Sequence, residues 1–485
     1  MPVISLSRII AHWADQQPDR VAIDHEGAQV TWSQLEARTN RLARAYEAMG
    51  VGQDDFVTIG LPNGIEFLEA CFAAWKVGAT PQPISAKLPK LERDQIVELG
   101  KPALVVGCAP GEYAPTPSIA ANFTPDPGLS DAPLPERTAI TFKAMTSGGS
   151  TGRPKLIVSK TPAATDPDLP ALEIRNQGVM LIPGPLYHNG PFLWAMSALF
   201  RGCTVGVTTR FDAEQTLRTI ERLRVDTVYT VPTMMRRIWA LPEDVRNSFD
   251  LSSLRSLWHL AEPCPIWLKE RFIEWLGPSV IWELYGGTEG QGSTTIQGHD
   301  WLNHKGSVGK PAETCEMKIV GESGQTLPPG EIGEVYIRPL TGPGTTYRYL
   351  GAEAKAIEGG WESLGDMGWM DADGFLYLAD RLSDMIIVGG ANIYPAEVEA
   401  ALDAFPGVRS SAVIGLPDDN TGNRLHAIID RPEGPADETT LLTHLAKHLV
   451  RYKTPRTFEW VNEPLRDEAG KVRRSALRKE RITTR

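Results

Sequence analysis

The stretch TSGGSTGRPK, residues 146–155, is the most informative segment of the chain. It combines three glycines with four hydroxyl side chains and closes on Arg153 and Lys155. The preceding TAITF, residues 138–142, alternates polar and apolar residues and predicts a strand. A glycine-rich turn after a strand presents backbone N–H groups to phosphate oxygens, and a lysine adds charge. The pattern predicts a phosphate-binding loop, with a solvated Gly/Ser linker as the alternative. It is not the usual P-loop, because Gly152 is not followed by Lys-Ser/Thr.

Composition is typical of a globular protein and argues against several functional classes. The chain has 485 residues, 42% hydrophobic and 22% charged, enough for two or more domains. A net charge of −11 argues against a nucleic-acid partner. Five widely spaced cysteines argue against a disulfide framework or a cysteine zinc site. Because there is neither a signal-peptide pattern nor an apolar run of about 18 residues, we expect a cytoplasmic enzyme or large binding protein without a membrane span.

Strands and helices alternate along the first part of the chain. TWSQLEARTNRLARAYEAMG, residues 31–50, predicts a helix with a capping box formed by Thr31 and Gln34. FVTIG, residues 56–60, predicts a strand, and we expect Asn63 to cap the helix that follows. This alternation predicts an α/β fold with a parallel sheet.

Further buried strands are predicted downstream, and two of them end in residues of chemical interest. Since open α/β sheets bind ligands at the carboxyl ends of their strands, His188 is a candidate pocket residue, with a structural histidine as the alternative. The run from Tyr285 to Glu289 suits a nucleotide base beside a phosphate-bound Mg²⁺, with an ordinary strand exit as the alternative. The three segments are GVMLIPGPLYHNGPF (178–192), DTVYTVPTMM (226–235) and SVIWELYGGTEG (279–290).

The pattern changes after Trp301. Short alternating segments split by Gly, Pro and Asp predict an antiparallel β subdomain, with Asp366 in a Gly-Asp-Met-Gly turn and Arg381 at a strand end. From Ser383 the pattern resets to a small α+β domain of about a hundred residues. This domain ends in a Gly-Lys turn at Lys471 and a basic helix. A basic tail alone is usually a solvated face, so Lys471 gains meaning only from the other motifs.

Taken together, these stretches resemble the adenylate-forming enzyme superfamily, which includes acyl-CoA synthetases, peptide-synthetase adenylation domains and beetle luciferases. The motifs cover nearly the whole chain in the family's order, and they are most similar to those of acyl-CoA synthetases. The resemblance implies a large N-terminal domain, residues 1–380, of parallel-rich sheets with helices and a β-barrel-like subdomain. It also implies a hinge at 381–383, with Ser383 as pivot, and a small mobile α+β C-terminal domain, residues 384–485.

The resemblance further implies a site for ATP and Mg²⁺. Tyr285 would stack on adenine, and Glu283 would contact the adenine amino group. Asp366 and Arg381 would bind the ribose, and Glu289 would hold the Mg²⁺. The other residues implied to bind the nucleotide or the channel for coenzyme A are Thr146, Ser147, Gly148, Gly149, Ser150, Thr151, Gly152, Lys155, Glu262, Gly286, Thr288, Gly389 and Gly390.

By the same resemblance, Lys471 would reach the acid carboxylate and the α-phosphate, and His188 would gate the acyl pocket. Lys471, His188, Thr288 and Glu289 form the implied catalytic set. The acyl pocket would be lined by His188, Asn189, Gly190, Met234, Ala261 and Gly287. Residues 186–192 carry no acidic side chain, which favours an aryl, fatty or polycyclic acid without a free α-amine. Glu262 is an unexpected carboxylate that bears on this choice.

Three functions follow as hypotheses. The first is an ATP-dependent carboxylic acid–CoA ligase that forms an acyl-adenylate, releases pyrophosphate and then makes a thioester, as in fatty acid metabolism. The second passes the acyl group to an amine or a carrier-protein thiol, and the third is a non-catalytic nucleotide-binding module. The expected partners are a small carboxylic acid and coenzyme A, while a homodimer and a carrier protein stay open. Donors such as Lys471 would act by neutralising two anions that otherwise repel.

Overall fold

The structure, a computed structural model, describes residues 3–148, 154–381, 384–388, 391–418, 420–467 and 470–483. No helix among them is long and apolar enough to cross a lipid bilayer. The helices are α1 Leu6–Gln16, α2 Trp32–Ala48, α3 Ile65–Lys76, α4 Lys90–Gly100, α5 Asn189–Phe200, α6 Ala213–Leu223, α7 Pro232–Trp239, α8 Glu243–Arg246, α9 Ile266–Leu276, α10 Gly298–Asn303, α11 Pro395–Asp403, α12 Glu438–Leu445 and α13 Arg474–Thr483.

The strands alternate with these helices in the first half of the chain and predominate after residue 300. They are β1 Ile4–Ser5, β2 Val21–His25, β3 Ala28–Thr31, β4 Phe56–Ile59, β5 Thr80–Pro83, β6 Leu104–Val106, β7 Ser118–Ile119, β8 Ala144–Gly148, β9 Pro154–Ser159, β10 Ala164–Thr165, β11 Val179–Ile182, β12 Thr204–Val207, β13 Thr227–Thr230, β14 Ser256–His259, β15 Ile281–Gly286, β16 Ser293–Gln297, β17 Ser307–Pro311, β18 Cys315–Val320, β19 Gly333–Pro339, β20 Tyr347–Leu350, β21 Lys355–Ile357, β22 Trp361–Met370, β23 Leu376–Arg381, β24 Ile386–Val388, β25 Ala391–Ile393, β26 Ser410–Asp418, β27 Gly422–Asp430 and β28 Thr457–Val461.

A 14-stranded sheet forms the centre of the large domain. Its strands run in the order β18-β19-β22-β23-β17-β16-β15-β14-β13-β11-β12-β2-β3, and β21 pairs with β22. The strands β2, β12, β11, β13, β14 and β15 are parallel, as the alternation of strands and helices predicts. From β15 to β18 the pairings are antiparallel, so the antiparallel strands expected after Trp301 extend the ladder of the main sheet.

Three smaller sheets, of four, three and two strands, complete the described part of the large domain. Strands β5, β4, β6 and β7 form a four-stranded parallel sheet, and β7 comes from the proline-rich region that carried no strand signal. The capping box predicted at Thr31 and Gln34 is confirmed at the start of α2. Helix α3 is buried along its whole length, and it joins α1, α2 and α5 in one continuous hydrophobic core.

The glycine-rich stretch connects the two strands of an antiparallel hairpin. β8 pairs with β9, and β20 pairs with the other edge of β9. No strand forms at residues 138–142, where one was predicted. The hydrogen-bonded ladder begins at Ala144. Phe142 instead stacks on Trp75, and its N–H donates to the Thr161 carbonyl outside the sheets. Packing of this aromatic ring therefore decides the backbone path that the alternating pattern assigned to a strand.

Asn63 does not cap the helix that follows it, which corrects the expectation from sequence. α3 begins after Gly64 with no side-chain cap. The Asn63 amide nitrogen donates to the carbonyls of Gly184 and Thr208, and its oxygen accepts from the N–H of Leu186. The side chain therefore braces the segments that follow β11 and β12.

The small domain has its own hydrophobic core. Strands β26 and β27 are antiparallel, β28 joins β27 in parallel, and α11 and α12 pack on this three-stranded sheet. The segment LLTHLAKHLVRYKT, residues 441–454, has the pattern of one helix, but the helix is shorter, because the chain leaves α12 at Leu445 and forms a 3-10 turn at Arg451–Lys453. The large N-terminal and smaller C-terminal domains match the predicted fold class.

Candidate functional site

The carboxyl ends of four parallel strands meet at one edge of the main sheet. β11, β13, β14 and β15 are neighbours and parallel, so the segments that follow them emerge side by side. These segments carry His188, Met234, the pair Ala261-Glu262 and the run from Gly286 to Glu289. Helices follow two of these strands. α5 begins at Asn189 directly after His188, and α7 places Met234 in its first turn.

Tyr285 and Asp366 lie together, as expected for residues that share one ligand. The Tyr285 hydroxyl donates to Asp366 Oδ2 at 2.7 Å. Asp366 lies within β22 rather than in a turn, where it pairs with Arg381 at the end of β23. The Arg381 side chain is outside the described part of the structure. Gly286 is exposed beside Tyr285, which leaves open backbone next to the ring.

Glu289 is the centre of a second polar group. Its carboxylate is almost fully buried and its Oε1 accepts from the Tyr349 hydroxyl at 2.5 Å. Lys155 Nζ lies 3.5 Å from the same oxygen and 4.0 Å from the centre of the Tyr349 ring. Burial and the charge of Glu289 raise the pKa of Tyr349, so this hydroxyl keeps its proton. Tyr349 carried no signal in the sequence, because β20 reaches Glu289 only through its pairing with β9.

The glycines around Glu289 permit close approach. A Cβ at Gly287 would lie 2.5 Å from a Leu364 methyl and 2.8 Å from Glu289 Oε2, so a side chain at this position is excluded. Thr288 and Glu289 form the turn that follows, closed by the N–H of Gly290 on the Gly287 carbonyl. Residue 287 therefore limits the space beside the carboxylate.

The predicted phosphate loop is only partly described. Ser147 and Gly148 end β8, opposite Lys155 and Pro154 of β9, and Gly149, Ser150, Thr151 and Gly152 lie outside the described residues. Thr146 Oγ1 is buried and has no hydrogen-bond partner among the residues that the structure describes. An unpartnered buried hydroxyl at the mouth of this hairpin fits a site that a ligand completes.

His188 lies just beyond the carboxyl end of β11, the position that makes it a candidate pocket residue. It precedes the first residue of α5, and its ring centre is 4.3 Å from that of Tyr187. Its Nε2 is buried without a partner in the described part of the chain. Burial and, to a lesser degree, the positive charge of Lys471 lower the pKa of His188 to about 3. The imidazole is therefore neutral, and the small domain brings Lys471 close enough to influence it.

The wall beyond His188 is apolar and tightly fitted. A Cβ at Gly190 would lie 2.5 Å from the Tyr229 hydroxyl, so the Tyr229 ring covers this glycine. The Met234 methyl and the Tyr229 ring both approach Gly184, at 3.5 and 3.6 Å from where its Cβ would stand. Ala261, with φ +73°, lies in the left-handed region that disfavours residues with a side chain.

Glu262 lies at the boundary between the domains. Its carboxylate accepts from the N–H and the hydroxyl of Thr233, at 2.6 and 3.0 Å. Arg466 of the small domain lies 3.7 Å away and also donates to the Gly470 carbonyl. A Cβ at Gly470 would overlap the Glu262 carboxylate, so this turn rests directly on it. Glu262 thus contacts the segment that carries Lys471.

Glu283 has a partner that the sequence did not suggest. Its Oε2 accepts from Lys269 Nζ of α9 at 2.6 Å, and both side chains are buried. Burial raises the pKa of this carboxyl, and the charge of Lys269 opposes the rise. The ion pair provides a structural role for Glu283, so the adenine contact stays a prediction. Gly389, Gly390 and the pivot Ser383 lie outside the described residues.

Comparisons with known proteins agree along nearly the whole chain. The AMP-binding enzyme family matches residues 10–350, and the AMP-binding enzyme C-terminal domain matches residues 397–471. A feruloyl-CoA synthase from an Amycolatopsis species is 32% identical over 96% of this chain and 97% of its own length. A 2-succinylbenzoate–CoA ligase from Bacillus licheniformis is 31% identical over 96% and 98%.

The solved structures give the same result for the fold. The O-succinylbenzoate coenzyme A synthetase from Bacillus subtilis, in complex with ATP and a magnesium ion, superposes with a TM-score of 0.81. It is 26% identical and covers 98% of this chain and 100% of its own.

Proposed function

The chain belongs to the family of AMP-binding, adenylate-forming enzymes, and we propose that it is an ATP-dependent ligase that joins a small carboxylic acid to coenzyme A. The carrying observation is that the turn ending in Lys471 rests on Glu262, with Lys471 close enough to lower the pKa of His188. A lysine brought to a cleft from a second domain suits a reaction in which two anions must meet.

In the proposed first step, the acid carboxylate attacks the α-phosphorus of ATP and pyrophosphate leaves. Lys471 neutralises charge that develops between the carboxylate and the α-phosphate. The Tyr285–Asp366 pair receives the nucleoside, and Lys155, on the strand after the phosphate loop, meets the phosphates. Aligning the two reactants in this way lowers the activation barrier further, beyond the electrostatic effect. In favourable cases alignment contributes on the order of 7 kcal/mol or more.

The residues present fit a magnesium ion. Mg²⁺ prefers oxygen ligands, and the cleft offers the buried Glu289 carboxylate with Thr288 beside it. Bound there, the ion would offset the charge of the phosphates. Tyr349 and Lys155 fix the carboxylate on the side of the phosphate hairpin.

The proposal assigns the acceptor from the relatives and the domain arrangement. Both curated relatives described above are named as CoA synthases or ligases. We place the hinge at residues 381–383, with Ser383 as its pivot, and the small domain at 384–485. Rotation about that hinge would withdraw Lys471 and admit the thiol along Gly389 and Gly390.

For the acid, the wall formed by Tyr229, Met234 and Gly190 favours an apolar or aryl group. Asn189 and Gly190 follow the gate without a carboxylate that would hold an α-amine. We therefore propose an aryl, fatty or polycyclic acid without a free α-amine rather than an amino acid.

A screen of carboxylic acids tests the proposal. Pyrophosphate release is measured with ATP and Mg²⁺ for aryl, fatty and amino acids, each with and without coenzyme A, and Lys471→Ala sets the background. The proposal predicts coenzyme A-dependent turnover for an aryl or fatty acid and a thioester product. Turnover with amines that needs no coenzyme A would indicate the amide-forming variant. Binding of ATP with no pyrophosphate release from any acid would indicate a non-catalytic module.

A further inference from the structure

Lys143 is a buried cation in the cleft that the sequence analysis did not single out. It precedes β8, its side chain is 8% exposed, and its Nζ donates to the Asn189 Oδ1 at the start of α5. Among the described residues, no carboxylate lies within ion-pair distance of it. The signal available in the sequence was a charged residue between the strand predicted at 138–142 and the phosphate loop, where an apolar one would pack.

Two other buried lysines in the described chain can be compared with Lys143, and both have a carboxylate partner. Lys76 pairs with Glu36 and Lys269 pairs with Glu283, each at 2.6 Å. These counter-charges offset the desolvation of the ammonium group, which costs several kcal/mol per ion when left unpaired. Among the described residues, the partner of Lys143 is a neutral amide oxygen. Burial lowers the pKa of Lys143 to about 8, and the negative charge of Glu289 acts in the opposite direction.

The position of Lys143 shows what could supply the missing charge. Asn189, which it contacts, follows His188 directly, and Lys471 influences the same imidazole from the small domain. Glu289, which acts on Lys143 through its charge, is the proposed metal ligand. Lys143 therefore contacts the residue that follows the proposed acyl gate and is within the electrostatic influence of the proposed metal carboxylate, where phosphate and carboxylate oxygens of the substrates would meet.

We propose that Lys143 binds an oxyanion of a bound substrate in the adenylation cleft, held in place by Asn189. The inference rests on the proposed function and adds a third lysine to Lys155 and Lys471. The shared chemistry is a charge-assisted hydrogen bond from the ammonium to an oxygen that carries negative charge. The oxygen belongs either to the phosphates of ATP or to a carboxylate of the acid.

The test compares Lys143→Met and Lys143→Arg with the wild type. Isothermal titration calorimetry measures binding of MgATP and of inorganic pyrophosphate. The KM of the acid with the highest turnover in the screen is measured separately. A charge-assisted bond predicts a loss of about tenfold or more in Lys143→Met, with affinity largely restored in Lys143→Arg. Weaker MgATP and pyrophosphate binding identifies the phosphates, whereas a raised KM for the acid alone identifies the carboxylate.

Thermal melting supplies the readout that separates binding from structure. Removing an unpaired buried charge should leave the Tm of Lys143→Met unchanged or higher. Lys76→Met, the control at a buried lysine that has a counter-charge, should melt lower because Glu36 is left unpaired, and should bind MgATP normally. Wild-type affinities and KM in Lys143→Met would overturn the inference. Failure of the wild-type protein to bind MgATP would instead overturn the proposed function, and the inference with it.

Discussion

Arg236 of α7 and Asp403 of α11 form an ion pair across the boundary between the two domains. Their side chains are 10% and 3% exposed, so the pair is almost fully shielded from solvent. The other oxygen of Asp403 accepts from the Ser411 hydroxyl at 2.7 Å, which fixes the carboxylate within its own domain. This pair and the contact between Glu262 and Arg466 hold the small domain where the charge of Lys471 acts on His188.

We expect Asp403→Asn to impair adenylation more than thioester formation. The substitution leaves Arg236 buried without its counter-charge, and breaking one partner of a buried pair costs about 3–5 kcal/mol. The docked arrangement would then be less populated, and the rate of ATP–pyrophosphate exchange should fall at least tenfold. Thioester formation from a supplied acyl-adenylate should change less.

Ser411→Ala is the matched control for this pair. It removes the hydrogen bond within the small domain but keeps both charges at the boundary. The control should lower the Tm of the protein and leave the ratio of the two half-reactions unchanged. Equal losses in both half-reactions for Asp403→Asn would contradict a docking role.

Gly470→Ala should displace the catalytic turn. Gly470 has φ +78°, and a Cβ there would overlap the Glu262 carboxylate. Gly434→Ala is the control in the same domain, because Gly434 has φ +83° and nothing within 4 Å of a Cβ. Both variants carry the backbone strain of about 1 kcal/mol, and only Gly470→Ala adds the clash. We expect the rate of pyrophosphate exchange to fall about a hundredfold in Gly470→Ala alone, while MgATP binding persists. Similar rates in the two variants would contradict this prediction.

Lys471→Ala should abolish adenylation and raise the pKa of His188 while ATP binding persists. Burial lowers this pKa most, and the charge of Lys471 lowers it further, so removing the lysine moves the value upward from about 3 but leaves it below 6.5. NMR titration of the imidazole resonances measures the shift, and His188→Phe identifies the signal. An unmoved pKa in Lys471→Ala would place the lysine away from the gate, and unchanged pyrophosphate exchange would remove its catalytic role.

Glu289→Gln should raise the Mg²⁺ concentration needed for half-maximal activity, by about tenfold or more. The amide keeps the shape of the side chain but removes the charge that attracts the ion. Tyr349→Phe is the milder comparison, because it keeps the carboxylate and removes one hydrogen bond to it. A Mg²⁺ titration of pyrophosphate release measures both. An identical titration curve for wild type and Glu289→Gln would remove this residue from the metal site.

The features predicted correctly are those that residues close together in the chain determine. The capping box at Thr31 is confirmed, and the parallel order of β11 to β15 follows from alternating strands and helices. The same alternation indicated which strand ends would meet, and Tyr285 and Asp366, assigned to one nucleotide, are in contact.

The features that the sequence did not predict depend on packing between residues far apart in the chain. Phe142 leaves the predicted strand to stack on Trp75, a residue 67 positions away. Tyr349 reaches Glu289 only because β20 pairs with β9, and no periodicity signals that pairing. Within the described part of the chain Lys143 is buried without a carboxylate partner, and no local sequence pattern predicts that environment.

Asn63 fixes the loop before α5 from a distant part of the chain. One amide side chain holds Gly184, Leu186 and Thr208, from a position 121 residues before the first of them. Asn63 itself lies in the loop before α3, outside any helix. Variation at residue 63 would therefore shift the segment that leads to His188 while leaving the side chains of that segment as they are.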